Sequence, residues 1–194
     1  EEGLESAERS GSSATWVMSN HDVPRHASRY GLPQVPASSH HQLAKDWLVR
    51  DGASYVENRE LGTKRARAAI LMELALPGST YIYQGEELGM TNKHFDSIDP
   101  INDVMTRNAY FEKTQRCGES VADFMKAANY ISREHTRTPM HWDDTANAGF
   151  TTGTPWIPLN PNYPQINAAK QVGDPDSVYS FYRRLLALRK SDKT

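Results

Sequence analysis

The sequence predicts an α/β protein built on a parallel β-α-β unit, and three observations predict it. Two short apolar runs, Thr15-Trp16-Val17-Met18 and Ser79-Thr80-Tyr81-Ile82-Tyr83, each end in a polar cluster. A helix-patterned stretch lies between them and is closed by Pro77-Gly78. Strand, crossover helix, strand is how neighbouring parallel strands are joined. Polar residues at the C-terminal tips of such strands are how these folds build sites.

Taken in order, residues 1–14 are Ser-, Glu- and Gly-rich without periodicity, and read as a surface loop entering the first strand. Residues 15–18 are short and apolar, as a strand buried on both faces would be. Asn20-His21-Asp22 forms its tip, and Pro24 opens the loop that follows. Residues 26–60 make a long excursion with Pro33 and Pro36 and a helical patch around Leu43, Trp47 and Leu48. Thr63 is expected to cap a helix running to about Leu76, with Ala66, Ile70 and Leu74 on one face. Lys64, Arg65 and Arg67 crowd its start and oppose the helix dipole, which calls for acidic neighbours or overriding tertiary packing.

The second strand ends in Gln84-Gly85-Glu86-Glu87. Residues 91–176 then break the alternation and read as a loop-rich insertion between the last strand and the last helix. Their Pro-, Gly-, Asn- and Trp-rich half, 134–176, is expected to be ordered only against a larger body. The chain closes with a helix capped by Ser177 or Asp176. Val178, Phe181, Tyr182, Leu185 and Leu186 fall on one of its faces, with Arg189 and Lys190 at its end. Two strands neither close a barrel nor make a stable open sheet, so the unit is expected to belong to something larger.

Composition narrows the function. The 194 residues carry a formal net charge of −2, which gives no electrostatic case for nucleic acid or an anionic membrane. No apolar run approaches the roughly 20 residues that span a bilayer. The acidic start, Glu1-Glu2-Gly3-Leu4-Glu5, is not a signal peptide. Cys117 is the only cysteine, so an internal disulfide is impossible and a reducing, cytoplasmic compartment is expected. With no paired His it reads as an inert thiol. His40-His41 and the scattered carboxylates lack metal-ligand spacing, no cofactor is implied, and no glycine-rich nucleotide loop or nucleophile elbow occurs.

Asp22 is the leading site candidate. A lone Asp before Pro24 would merely cap a turn, but here His21 lies beside it, Arg25 follows three residues on, and a strand stands behind. An Arg close to a carboxylate keeps it ionised, and a fixed anion is useful where positive charge develops in a transition state. His21 suits a hydrogen bond to a hydroxylated ligand. Asn20 shapes the turn, while His26 and Arg29 read as surface or supporting residues. At the second tip Gly85 allows close backbone approach. Adjacent Glu86 and Glu87 point in different directions, so at most one faces a ligand, and bonding to loop backbone is an equally good role. Residues 132–142 gather Arg133, His135, Arg137, His141 and Trp142, which would suit sugar hydroxyls and an aromatic platform. A salt-bridged surface loop is the simpler reading of the same stretch.

Three motifs in order carry a family resemblance. Ser19-Asn20-His21-Asp22 resembles the Asn-His-Asp motif on the seventh barrel strand of the α-amylase superfamily of glycoside hydrolases. Residues 81–90, Tyr-Ile-Tyr-Gln-Gly-Glu-Glu-Leu-Gly-Met, are similar to the eighth-strand motif of its α-glucosidase and oligo-1,6-glucosidase branch. Residues 133–142, Arg-Glu-His-Thr-Arg-Thr-Pro-Met-His-Trp, resemble the loop that follows there, with Glu134, His135 and His141 standing where relatives often carry Asp, Asn and Gln.

The resemblance implies a partial (β/α)8 TIM barrel, with this chain supplying strands seven and eight and the last helix and incomplete without its N-terminal part. It implies that Asp22 stabilises an oxocarbenium-like state, that His21 bonds the same glucosyl hydroxyls, and that Arg133, or next Arg137, contacts the sugar at the cleavage point. Glu86 is expected to bind substrate as well, with Asn20, Arg25 and Gln84 in support. The partner is an oligosaccharide. A retaining glycosidase also needs a nucleophile and an acid roughly 5 Å apart. In the family these stand on strands four and five, so the chain alone is expected to be inactive and poorly folded. Two rivals remain open: a trehalose- or sucrose-converting transglycosylase or isomerase of the same branch, and a non-catalytic barrel like those of amino-acid transporter heavy chains.

Overall fold

A computed structural model describes residues 2–32 and 56–191. The expected helical patch at Leu43, Trp47 and Leu48, together with Pro33, Pro36 and His40-His41, lies outside the described residues. The order is helix α1 (Glu2–Ser10), strand β1 (Thr15–Val17), a short helix α2 (His26–Arg29), helix α3 (Arg59–Ala75) and strand β2 (Ser79–Tyr81). Helix α4 (Val104–Tyr110) continues into a π-helical turn (Phe111–Arg116), followed by helix α5 (Val121–Ile131) and a 3-10 turn (Arg133–Thr136). A second 3-10 turn (Ala146–Gly149), helix α6 (Ala168–Val172) and helix α7 (Val178–Ser191) complete it.

β1 and β2 pair in parallel, with Thr15 opposite Ser79 and Val17 opposite Tyr81. In-register parallel pairing puts both C-terminal tips on one rim. β1 is not buried on both faces as its apolar run suggested, since Val17 is 47% exposed, and Tyr81 on β2 is 63% exposed. Among the described residues no further strand flanks the pair.

The N-terminal segment is a helix rather than a loop, and it buries none of its residues. Its Ser and Gly content hid the turn pattern, while Glu2 and Glu5 at its start and Arg9 at its end complement the dipole. α3 begins earlier than expected. Asn58, not Thr63, is the cap, accepting from the Leu61 N–H at 3.0 Å, and Thr63 Oγ1 bonds back to the Arg59 carbonyl. The shift moves Lys64, Arg65 and Arg67 out of the first turn and puts Glu60 in it beside Arg59, which eases the dipole conflict. Lys64 now lies in the second turn and pairs with Glu60 at 2.6 Å. Gly62 is needed where α3 crosses α2, because a Cβ there would lie 2.0 Å from the Ala27 carbonyl oxygen.

α3 packs on α7 through Ile70, Leu74 and Tyr182, with Ile82, Val178, Phe181 and Leu185 around them. Ser177 caps α7, its Oγ accepting from the Ser180 N–H at 3.1 Å. Near the other end, the Arg189 guanidinium donates to the carbonyls of Leu74, Leu76 and Gly78.

Residues 91–176 pack on the chain's own body. Phe95, Ile101, Phe124, Met125, Ala128 and Ile157 form a buried cluster, and Leu88, Met90 and Met140 form another beneath α6 and α7. Buried amides hold the irregular backbone between them. Asn129 exchanges two hydrogen bonds with the Phe95 backbone (2.7 and 2.9 Å), and Asn160 Nδ2 donates to the carbonyls of Thr91 and Asn92 (both 3.0 Å). These side chains give the backbone of Thr91, Asn92 and Phe95 the partners that regular structure would otherwise supply.

Candidate functional site

The tip of β1 places Asp22 where its carboxylate meets two guanidinium groups from the 3-10 turn region. Asp22 Oδ1 accepts from Arg133 Nη1 at 3.0 Å and Arg137 Nη2 at 3.3 Å. His21 Nε2 stands 3.4 Å from Oδ2. Asn20 Oδ1 accepts from the Asp22 N–H at 2.8 Å and shapes the turn that aims the carboxylate outward. The Asp22 side chain is about half exposed and that of His21 more so, so the pair faces open space above the strand.

The later loop is docked onto this tip. The His21 carbonyl accepts from Arg137 Nε at 3.2 Å and from Thr136 Oγ1 at 3.4 Å. Beneath, Arg25 is buried and joins three pieces of chain. It donates to the carbonyls of Gln84 (3.1 Å), His135 (3.2 Å) and Thr136 (3.2 Å), and its N–H to Asn92 Oδ1 (3.0 Å). Burial pulls its pKa down to about 10 against the raising effects of Tyr83, Glu87 and Glu86. Gly85, at φ +84, leaves room for this, since a Cβ there would lie 2.8 Å from Arg25 Nη1. The expectation that Arg25 attends Asp22 is therefore corrected: its donors are committed to carbonyls, and Arg133 and Arg137 stand at Asp22 instead.

Glu86 is also placed differently from the expectation that it binds substrate. It is buried, with Oε1 accepting from the Tyr182 hydroxyl at 2.9 Å and Oε2 from the Tyr83 N–H at 3.3 Å. Burial pushes it up to about 7, despite the hydrogen bonds from Tyr182 and Tyr83 that favour its charged form. His26 lies 3.7 Å away, buried and bonded to Ser19, its pKa lowered by burial to about 3. This is an interior knot between β2 and α7, so Glu86 is not brought to Asp22. Gln84 stays exposed at the rim and contributes its carbonyl.

The stretch 132–142 is salt-bridged as the simpler reading held, through Arg133 and Arg137, but it is mostly buried rather than a surface loop, and its imidazoles are not arrayed toward a sugar. His135 and His141 are fully buried, each lowered by burial to about 4, while Trp142 is 52% exposed. Sequence reasoning missed Asp103, which grips Arg133 from below through Nε at 2.9 Å. Its one legible signal is the Asp-x-x-Thr spacing to Thr106, whose N–H and hydroxyl it accepts at the start of α4. Among the described residues no His, Cys, Asp and Glu group could hold a metal ion. No described helix is long and apolar enough to cross a membrane.

A parallel β/α unit that gathers a carboxylate, an imidazole and two guanidinium groups at one rim has the architecture of the β/α-barrel enzymes. The chain belongs to the α-amylase family: residues 3–194 match the family described as Alpha amylase, catalytic domain. The oligo-1,6-glucosidase of Parageobacillus thermoglucosidasius is 41% identical over 173 residues, 89% of this chain and 26% of the relative. The trehalose-6-phosphate hydrolase of Bacillus subtilis (strain 168) is 40% identical over 88% of this chain and 26% of its own length. Among solved structures, a trehalulose synthase superposes with a TM-score of 0.68 at 37% identity, covering 92% of this chain and 28% of that one. The chain thus spans 26% to 28% of the length of these relatives.

Proposed function

We propose that the chain is the segment of a retaining α-glucosidase that carries barrel strands seven and eight, and that its parent cleaves terminal α-linked glucose from oligosaccharides. The single observation carrying this is the Asp22 carboxylate, fixed at a strand tip by Arg133 and Arg137 and open above. Glycosyl transfer builds positive charge on the sugar ring, and a carboxylate held rigidly beside it stabilises that charge without reorganising. In this role Asp22 faces the ring, His21 donates to a glucosyl hydroxyl, and Arg133 and Arg137 keep the carboxylate aimed and add donors of their own. The nucleophile and the acid come from the rest of the barrel, so the chain alone does no hydrolysis.

The test splices this chain in place of the matching segment of the P. thermoglucosidasius oligo-1,6-glucosidase. The chimera should hydrolyse a chromogenic α-glucoside, while the isolated chain should show no turnover. A folded chimera without activity, or turnover by the isolated chain, contradicts the proposal.

A second reading is an isomerase or transglycosylase of the same branch. It is favoured by the likeness to a trehalulose synthase and to the isomaltulose synthase of Klebsiella sp. LX3, the latter with a TM-score of 0.68 at 32% identity. Product analysis on maltose, isomaltose and sucrose separates the two readings, because only the second gives a rearranged disaccharide.

A further inference from the structure

The geometry points to Asp103 as a positioning residue that aims Arg133 at Asp22, an inference that rests on the role just proposed for Asp22. Asp103 is buried, and its two oxygens have separate duties. Oδ2 accepts from the Thr106 N–H (3.2 Å) and hydroxyl (2.5 Å), which locks the carboxylate to the first turn of α4. Oδ1 accepts from both Nε (2.9 Å) and Nη2 (2.5 Å) of Arg133. A guanidinium is planar, so holding that edge fixes the direction of the remaining nitrogen. That nitrogen, Nη1, is the one that reaches Asp22.

The two carboxylates on Arg133 are unequal. Asp103 is buried, so its attraction is less screened by water than that of half-exposed Asp22. Burial alone would push the Asp103 carboxyl up, yet the hydrogen bonds from Thr106 and Arg133 hold it below its usual range. Arg133 in turn is raised, first by its hydrogen bond to Asp103. The anchor therefore keeps the guanidinium to a single nitrogen on Asp22 Oδ1. Released from Asp103, Arg133 can turn its whole fork onto Asp22 and take up oxygens that the sugar ring needs.

The clean variant is D103N in the chimera described above, because Asn caps a helix as well as Asp does. The expected result is a fall in kcat on the chromogenic α-glucoside of about 10- to 100-fold, with KM changed less than about threefold, as loss of an interaction made only in the transition state requires. In an R133A background, D103N should change kcat by less than about twofold, because a residue acting through another is silent once that other is gone. An unchanged kcat in the single variant, or an equal loss with and without Arg133, overturns the inference. A crystal structure of the D103N chimera gives a readout without activity: Arg133 should leave its single-nitrogen contact with Asp22, and an unmoved guanidinium overturns the inference. An unmutated chimera that folds but turns nothing over sinks the glucosidase reading alone, and the Arg133 orientation still decides the role of Asp103.

Discussion

β1 and β2 leave Val17 and Tyr81 open to solvent, whereas the segment after them seals Phe95, Ile101, Phe124 and Ile157 completely. The regular part of the chain is thus its unfinished part, and the irregular part carries its own core. Strands are stabilised by neighbours on both edges and both faces, and this pair has one partner each among the described residues. Irregular backbone needs only that its buried peptide groups find partners, and Asn129 and Asn160 reach across the segment to supply some of them. The catalytic candidates sit on the seam: Asp22 comes from the open side, Arg133 and Arg137 from the closed side.

The contrast can be broken at its extremes. The closed core predicts that the 91–176 segment melts cooperatively even in a chain otherwise expected to fold poorly: F124A should cost about 3–5 kcal/mol in urea denaturation of the chain, while Y81S on the open strand should stay within about 0.5 kcal/mol. Similar costs for both would erase the distinction between the regions. At the seam, R25M should cost about 3 kcal/mol by stranding the carbonyls of Gln84, His135 and Thr136. Hydrogen exchange should then quicken at both strand tips and at the 133–137 turn together, and a loss confined to one side would show that Arg25 joins nothing.

The interior knot sharpens the comparison through pH. Burial raises Glu86 from 4.5 to about 7, so the folded state holds its proton more tightly than the unfolded chain. That stabilisation is complete below about 4.5 and is lost as pH rises through about 7. Relative to E86Q, which cannot titrate, the natural protein should lose up to about 3 kcal/mol across that window. His26 runs the opposite way and is common to both proteins. A pH-independent difference between them would show that Glu86 does not titrate there. The smallest effect is at the helix start: N58A should cost about 1 kcal/mol and T63A a few tenths. The reverse order would restore Thr63 as the cap of α3.

Where local chemistry repeats at short range, the sequence was readable. The apolar face of α7, the Pro77-Gly78 break and the two polar strand tips all have near-neighbour signals. So did Asp22, whose flanking residues are themselves part of the site. Contacts between distant segments had none. Arg25 reads as a companion of Asp22 because it lies three residues away, yet its side chain turns toward carbonyls at 84, 135 and 136. For Glu86 the sequence left a ligand contact and bonding to loop backbone equally open; the Tyr83 N–H bond realises the second, and only the position of Tyr182 on α7 reveals that the carboxylate faces inward. Asp103 gave a helix-cap signal and concealed its grip on Arg133, which lies thirty positions further on.

The most direct test of the account replaces the carboxylate itself. In the chimera with the oligo-1,6-glucosidase, D22N keeps the size of the side chain and a hydrogen-bonding oxygen while removing its charge. Steady-state hydrolysis of a chromogenic α-glucoside should fall in kcat by on the order of 10²–10³-fold at an unchanged melting temperature. Retention of kcat within a few-fold would show that the charge at the β1 tip has no part in catalysis.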